Sequence, residues 1–166
     1  MEAQRPRIPE GPCIQEKYSE KNACFGCGPA NPDGLHIRSF YANENGRDEL
    51  IAEWKGQKKY EAFPDMLNGG ITGALLDCHS NWAAAYFLMK RDGEDKPPYT
   101  VTADFHVTLK RPTPSNKPLF LRAWTVDMKE DRATIEASIE ADGKITATCK
   151  GTFVAVKPGH PAYHRW

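Results

Sequence analysis

One stretch limits what this chain can fold into: residues 63–89, FPDMLNGGITGALLDCHSNWAAAYFLM. After a proline and a short loop it offers Asn68-Gly69-Gly70. It then runs on with apolar residues at Ile71, Ala74, Leu75, Cys78, Trp82, Ala85 and Met89, mostly three or four apart. That spacing puts one broad apolar face on a helix. About 20 helical residues span roughly 30 Å, enough to cross a small domain. Downstream the pattern is β, so the chain is expected to set one long helix against one antiparallel sheet.

The strands follow from alternation and turn chemistry. Residues 35–42 and 49–54 read as a first hairpin across the Asn43–Gly46 turn, and residues 57–67 as a loop into the helix. Lys90 and Arg91 suit a helix C-terminus, with Gly93, Pro97 and Pro98 marking the exit. Residues 99–110 form the next strand, with Val101, Ala103, Phe105 and Val107 expected on one face. Residues 119–128, 133–141 and 145–156 supply three more, joined by turns at 129–132 and at Ala141-Asp142-Gly143-Lys144, a strong hairpin signal. The expected architecture is α+β: one central helix wrapped by about six antiparallel strands. Residues 1–33 are assigned to an N-terminal arm, loose or draped over the body, that carries a Cys-x-x-Cys turn segment. Residues 34–157 are the domain, and residues 158–166 a tail.

Charges balance, 22 basic against 22 acidic residues, which gives no argument for a nucleic-acid partner. No apolar run reaches ~18 residues, so no membrane span is expected. No signal-type segment opens the chain, and its five cysteines are an odd number. The expectation is a cytoplasmic protein with free thiols. Cys24-Phe25-Gly26-Cys27-Gly28 reads as a structural knuckle. Half a zinc site and a redox pair are the alternatives, with His36, Cys78 or Cys149 the candidates to complete a metal site; none has a standard spacing, and no metal or cofactor is assigned.

Inside the helix one residue stands apart. Gly70, Gly73 and Asp77 share a face, two glycines and then a carboxylate. The helix N-terminus at Gly69-Gly70 offers free N–H groups to an oxyanion or a polarised carbonyl.

Asn68-Gly69-Gly70, six residues, then Asp77 resembles the His-Gly-Gly-(six residues)-Asp signature of hotdog-fold acyl-CoA thioesterases of the phenylacetate-degradation (PaaI-like) type. Cys24-Phe-Gly-Cys-Gly28 with Asn31-Pro-Asp-Gly-Leu35 resembles the opening of one branch of that family. Residues 99–105, with Leu109-Lys110-Arg111-Pro112, resemble its post-helix strand. The likeness covers residues 24–157. It implies a hotdog fold that dimerises through a continuous sheet, often as a dimer of dimers, with active sites between subunits. It also implies hydrolysis of an acyl-CoA to free acid and coenzyme A, the latter being part of the substrate.

Carried over residue by residue, Asp77 is the nucleophile or general base and the Gly69 N–H polarises the thioester carbonyl. Gly70 lets substrate pass, and Thr102 helps place the attacking water. Glu61, or else Asp65, is the polar residue of the preceding loop. Lys110 and Arg111 meet coenzyme A phosphates, and Trp82 is core or acyl-pocket wall. Phe63, Tyr86 and Phe87 are further candidates to line that pocket. Asn68 departs from the signature: it can donate a hydrogen bond or cap the helix, but it is neither acid nor base. That substitution keeps open a hotdog protein that binds acyl thioesters without cleaving them. A dehydratase or hydratase lacks its usual histidine segment here. Cys78 and His79 are neighbours on a helix and do not face each other, so His79 is expected in a buried hydrogen bond or a subunit contact.

Overall fold

The computed structural model describes residues 5–164; the outermost residues of the expected arm and tail, Trp166 among them, lie outside that range. The chain runs through a short helix α1 (Ile14–Tyr18), strands β1 (Phe40–Ala42) and β2 (Glu49–Lys55), a 3₁₀ turn (Lys58–Tyr60), and strands β3 (Glu61–Phe63) and β4 (Met66–Leu67). The long helix α2 (Gly69–Asp92) follows, then β5 (Thr100–Leu109), β6 (Pro118–Lys129), β7 (Arg132–Ala141) and β8 (Lys144–Ala155). Six strands make one antiparallel sheet in the order β1-β2-β6-β7-β8-β5, and β3 pairs with β4 in a separate ribbon. The single long helix and its six-stranded partner sheet are as expected. No helix among the described residues is long and apolar enough to cross a membrane.

Helix α2 is 24 residues long, somewhat more than the sequence pattern suggested. Asn68 caps its start, its Oδ1 accepting from the Gly70 and Ile71 amides at 2.8 and 3.4 Å. At the other end Gly93 takes a left-handed φ of 67° and the Glu94 amide closes on the Met89 carbonyl, a turn that glycine enters without steric cost. The apolar face of α2 lies on one face of the sheet. There Leu75, Leu76, Trp82 and Leu88 bury against Leu50, Leu119, Leu121, Ile135 and Phe153. The β7–β8 turn uses positive φ at both Asp142 and Gly143 (49° and 73°), the geometry that an Asp-Gly pair favours.

Strand β2 shows no in-out alternation: Glu49 to Ala52 are all buried. The reason is the arm, which is draped over the body. Ile51, Phe40 and Phe120 point away from α2 and form a second cluster with Cys13 on the outer face, capped by the Arg5 guanidinium over the Phe120 ring. With both faces covered, a strand has no solvent side. Glu49, 1% exposed, is matched by Arg122 at 3.1 Å and Arg47 at 3.0 Å.

Two local expectations change. Residues 35–39 lie outside the sheet, with His36 at a left-handed φ of 53°: Leu35 and Ile37 donate to the Phe25 and Gly26 carbonyls, and the Trp54 indole donates to Leu35 O at 2.7 Å. These bonds go to the cysteine loop, so only residues 40–42 are left for β1. In β5 the register slips between Thr102 and Asp104. The bulge reverses the face of everything after it. Thr102, opposite Phe153, shares the helix-facing side with Phe105, Val107 and Leu109, opposite Gly151, Cys149 and Ala147. The strict alternation expected for this strand, which set Thr102 against Phe105, does not hold.

His79 sits at full burial in a complete chain of hydrogen bonds. Gln15 Nε2 donates to Ser39 Oγ at 2.9 Å, Ser39 Oγ lies 2.8 Å from His79 Nδ1, and His79 Nε2 lies 3.0 Å from the Leu50 carbonyl. A carbonyl only accepts, so Nε2 carries the proton and Nδ1 accepts from Ser39. Burial pushes the ring's pKa down to about 4, so the imidazole is neutral and structural.

Candidate active site

The bulge in β5 serves Asp77. Thr102, turned toward α2, donates its hydroxyl to Asp77 Oδ1 at 2.6 Å. Asp77 is half-buried, and removal from water raises its pKa above the ordinary carboxylate value; the Thr102 hydrogen bond acts the other way, and nearby Cys24 adds a smaller upward push. Gly73 lies one turn back, and a Cβ there would meet nothing within 4 Å. The helix surface between Gly70 and Asp77 is therefore open at Gly73.

At the helix start lies a cleft of ≈ 440 Å³, lined by Ala62, Phe63, Met66, Gly69, Leu109 and Arg111 among others. Its apolar wall includes two exposed side chains, Phe63 at 58% and Leu109 at 55%. Lys110 and Arg111 stand at its rim, their backbone amides fixed on the Thr146 carbonyl. Gly69 borders the cleft as the first residue of α2, so its N–H has no acceptor within the helix. Asn68 Oδ1 is committed to the next two amides and leaves the Gly69 N–H alone.

The structure thus brings Gly69, Lys110 and Arg111 to one cleft, and Asp77 and Thr102 into one hydrogen bond. Other candidates fall elsewhere. Glu61 accepts from the Ser115 hydroxyl at 2.6 Å, which ties the β3–β4 ribbon to the loop before β6. Asp65 is exposed in the ribbon turn with φ 63°. Trp82 is 1% exposed, and its indole N–H points at Cys27 Sγ, 3.2 Å away, so its place is in the core rather than on the cleft wall. Tyr86 packs on Tyr41 and Phe87. The pattern missed the β3–β4 ribbon, which carries Phe63 and Met66 to the cleft. Two- and three-residue strands leave no period to detect, and Pro64-Asp65 at a turn was the available signal.

Gly69 and Asp77 are eight residues apart on one helix, a rise of ~12 Å. A carbonyl carbon needs its oxyanion donor and its attacking group within ~3 Å. Within one chain the Gly69 N–H and the Asp77 carboxylate are therefore too far apart to act on the same carbonyl carbon.

No family model and no curated protein sequence matches the chain. Solved structures do. A thioesterase superfamily protein from Shewanella loihica aligns with TM-score 0.60 and 21% identity over 78% of this chain and 98% of its own. The Escherichia coli PaaI protein of the phenylacetic acid degradation operon aligns with TM-score 0.58 and 12% identity over 74% and 81%. Zebrafish thioesterase superfamily member 2 aligns with TM-score 0.59 and 16% identity over 76% and 90%. The fold is the hotdog fold that these proteins share.

Proposed function

We propose that this chain is an acyl-CoA thioesterase that works as a homodimer, each active site joining the Gly69 end of one α2 to Asp77 of the other. The observation that carries this reading is the division just described: an unclaimed helix-terminal N–H at an apolar cleft with a cationic rim, and ~12 Å along the same helix a half-buried carboxylate held by Thr102. Strand β5 supports the pairing. It is a ten-residue edge strand with Phe105 42% exposed. A long edge with exposed apolar side chains is a template for another strand.

In this reading the acyl chain lies against Phe63, Met66 and Leu109, and the coenzyme A phosphates meet Lys110 and Arg111. The Gly69 N–H stabilises the oxyanion. The partner's carboxylate takes a proton from a water that attacks the carbonyl carbon and passes it to the sulfur as the C–S bond breaks, giving free acid and coenzyme A thiol. Alternatively it attacks the carbon itself, coenzyme A leaves as thiolate, and water hydrolyses the resulting mixed anhydride to free acid, restoring the carboxylate and protonating the thiolate. Thr102 fixes the carboxylate's orientation. The neighbours' names support the chemistry without naming the acyl group.

A dimer that binds acyl thioesters without cleaving them is the second reading. It is favoured by Asn68, whose side chain is spent on capping and carries no acid or base. Thiol release from short, medium, long and aryl acyl-CoAs, with wild type and Asp77→Ala side by side, separates the two. The thioesterase reading expects turnover that falls by about 10²-fold or more in the variant. Wild-type binding without turnover across the panel overturns it.

A further inference from the structure

Three cysteines that the proposed chemistry does not use meet at one point. The Sγ atoms of Cys24, Cys27 and Cys78 all lie within 4.8 Å of one another, and those of Cys24 and Cys78 are 3.8 Å apart. Zinc bound tetrahedrally at ~2.3 Å per thiolate holds its sulfurs ~3.8 Å apart. Of the residues considered as partners for the Cys-x-x-Cys pair, only Cys78 joins it; neither His36 nor Cys149 belongs to the cluster.

The backbone around the cluster is built for sulfur. The Gly28 amide closes the knuckle on the Cys24 carbonyl at 2.9 Å, and Asn22 Oδ1 accepts from the Cys24 amide at 2.8 Å. The Trp82 indole N–H reaches Cys27 Sγ at 3.2 Å. A neutral thiol is a weak acceptor, so an N–H aimed at this sulfur matches a thiolate, the form that binds metal. Two glycines permit the approach. A Cβ on Gly26 would stand 2.3 Å from Cys78 Sγ, and one on Gly28 would stand 2.4 Å from the Asn22 carbonyl oxygen. A disulfide between any two would leave the third sulfur unused, whereas a cation uses all three.

We infer that Cys24, Cys27 and Cys78 form a three-thiolate site for a soft divalent cation of the zinc class. The site pins the knuckle to α2 at the residue after Asp77. Cys24 is exposed, so the fourth position faces solvent and would take a water. Loading releases the thiol protons, so affinity rises with pH. This site stands whether or not the chain cleaves thioesters.

Cobalt(II) is the probe. Chelator-stripped, reduced full-length protein is titrated with it, and the thiolate-to-cobalt charge-transfer absorption and tetrahedral d–d bands are followed. One equivalent per chain is expected, displaced by zinc. Cys24→Ser, at the exposed position, lowers affinity by more than about 100-fold, beyond the loss from a second-shell change. Cys13→Ser and Cys149→Ser leave the titration unchanged. Three outcomes overturn the inference: wild type that gives no charge-transfer band, bands that survive both Cys24→Ser and Cys78→Ser, or a disulfide within the trio that re-forms under the reducing conditions of the assay. The wild-type titration decides whether metal binds, and the variant titrations are read only on protein with the wild-type far-UV circular dichroism spectrum, so that a lost band reports a lost ligand.

Discussion

At Asn68 one side chain decides both the stability of α2 and the charge at its tip. Its Oδ1 takes the Gly70 amide at 2.8 Å and leaves the Gly69 amide open to the cleft. Two substitutions separate these roles. Asn68→Ala removes the cap and is expected to cost about 1 kcal/mol, seen as a lower urea midpoint at fixed protein concentration. Asn68→Asp keeps the cap, since aspartate caps as well as asparagine, and its charge suits the helix dipole. Stability should stay within about 0.5 kcal/mol of wild type. A fixed anion now stands beside the position of the oxyanion, and acyl-CoA turnover should drop by about 10-fold or more. Equal turnover in Asn68→Asp and wild type would mean that the Gly69 amide does not meet developing negative charge. The sequence showed this cap and the Gly70-Gly73-Asp77 face, because both are local on one helix. It did not show that Thr102 grips Asp77, because the bulge that turns Thr102 inward is a matter of pairing with β8, not of β5's own pattern.

Elements with a clean period were legible: β6 and the β7–β8 hairpin with its Asp142-Gly143 turn to within about a residue at each end, and α2 at its start, though it runs on through Asp92. The arm was not, because its order comes from single contacts and not from periodicity. Glu16 is the main tie. It accepts from the Arg38 guanidinium at 3.0 Å and from the Cys13 amide at 3.0 Å. These bonds, Arg38's first, hold its pKa below the ordinary carboxylate value. A carboxylate depressed in the folded state adds stability above its unfolded pKa, near 4.5, and that contribution disappears as pH falls through the lowered folded value. Glu16 is 40% exposed, so the effect is modest and screened. The expected outcome is local. Hydrogen exchange in residues 11–19 should rise as pH drops below ~4.5, after correction for intrinsic exchange, while the core strands stay protected. Glu16→Gln should show the faster exchange already at neutral pH and lose the step. A step that persists in Glu16→Gln would assign it to another carboxylate.

For the whole molecule, the ~12 Å between Gly69 and Asp77 makes the proposed chemistry depend on assembly, and a pair of defective chains can test this. Gly69→Pro removes the N–H at the first helical position, the one place in a helix where proline is tolerated. Asn68, with ψ 136°, already has the extended backbone that a residue before proline prefers. The helix should therefore form and the oxyanion donor be lost. Asp77→Ala removes the attacking group. Each variant alone should be nearly inactive. If each site joins Gly69 of one protomer to Asp77 of its partner, a mixed dimer has one site with both groups intact and one with neither. Random reassortment makes half of the dimers mixed, so an equimolar mixture, unfolded and refolded together, should recover about a quarter of wild-type activity. The same mixture combined without subunit exchange should recover none. No recovery after verified exchange would overturn the pairing of Gly69 with the partner's Asp77, and with it would fall the reading of β5 as the strand that completes the enzyme.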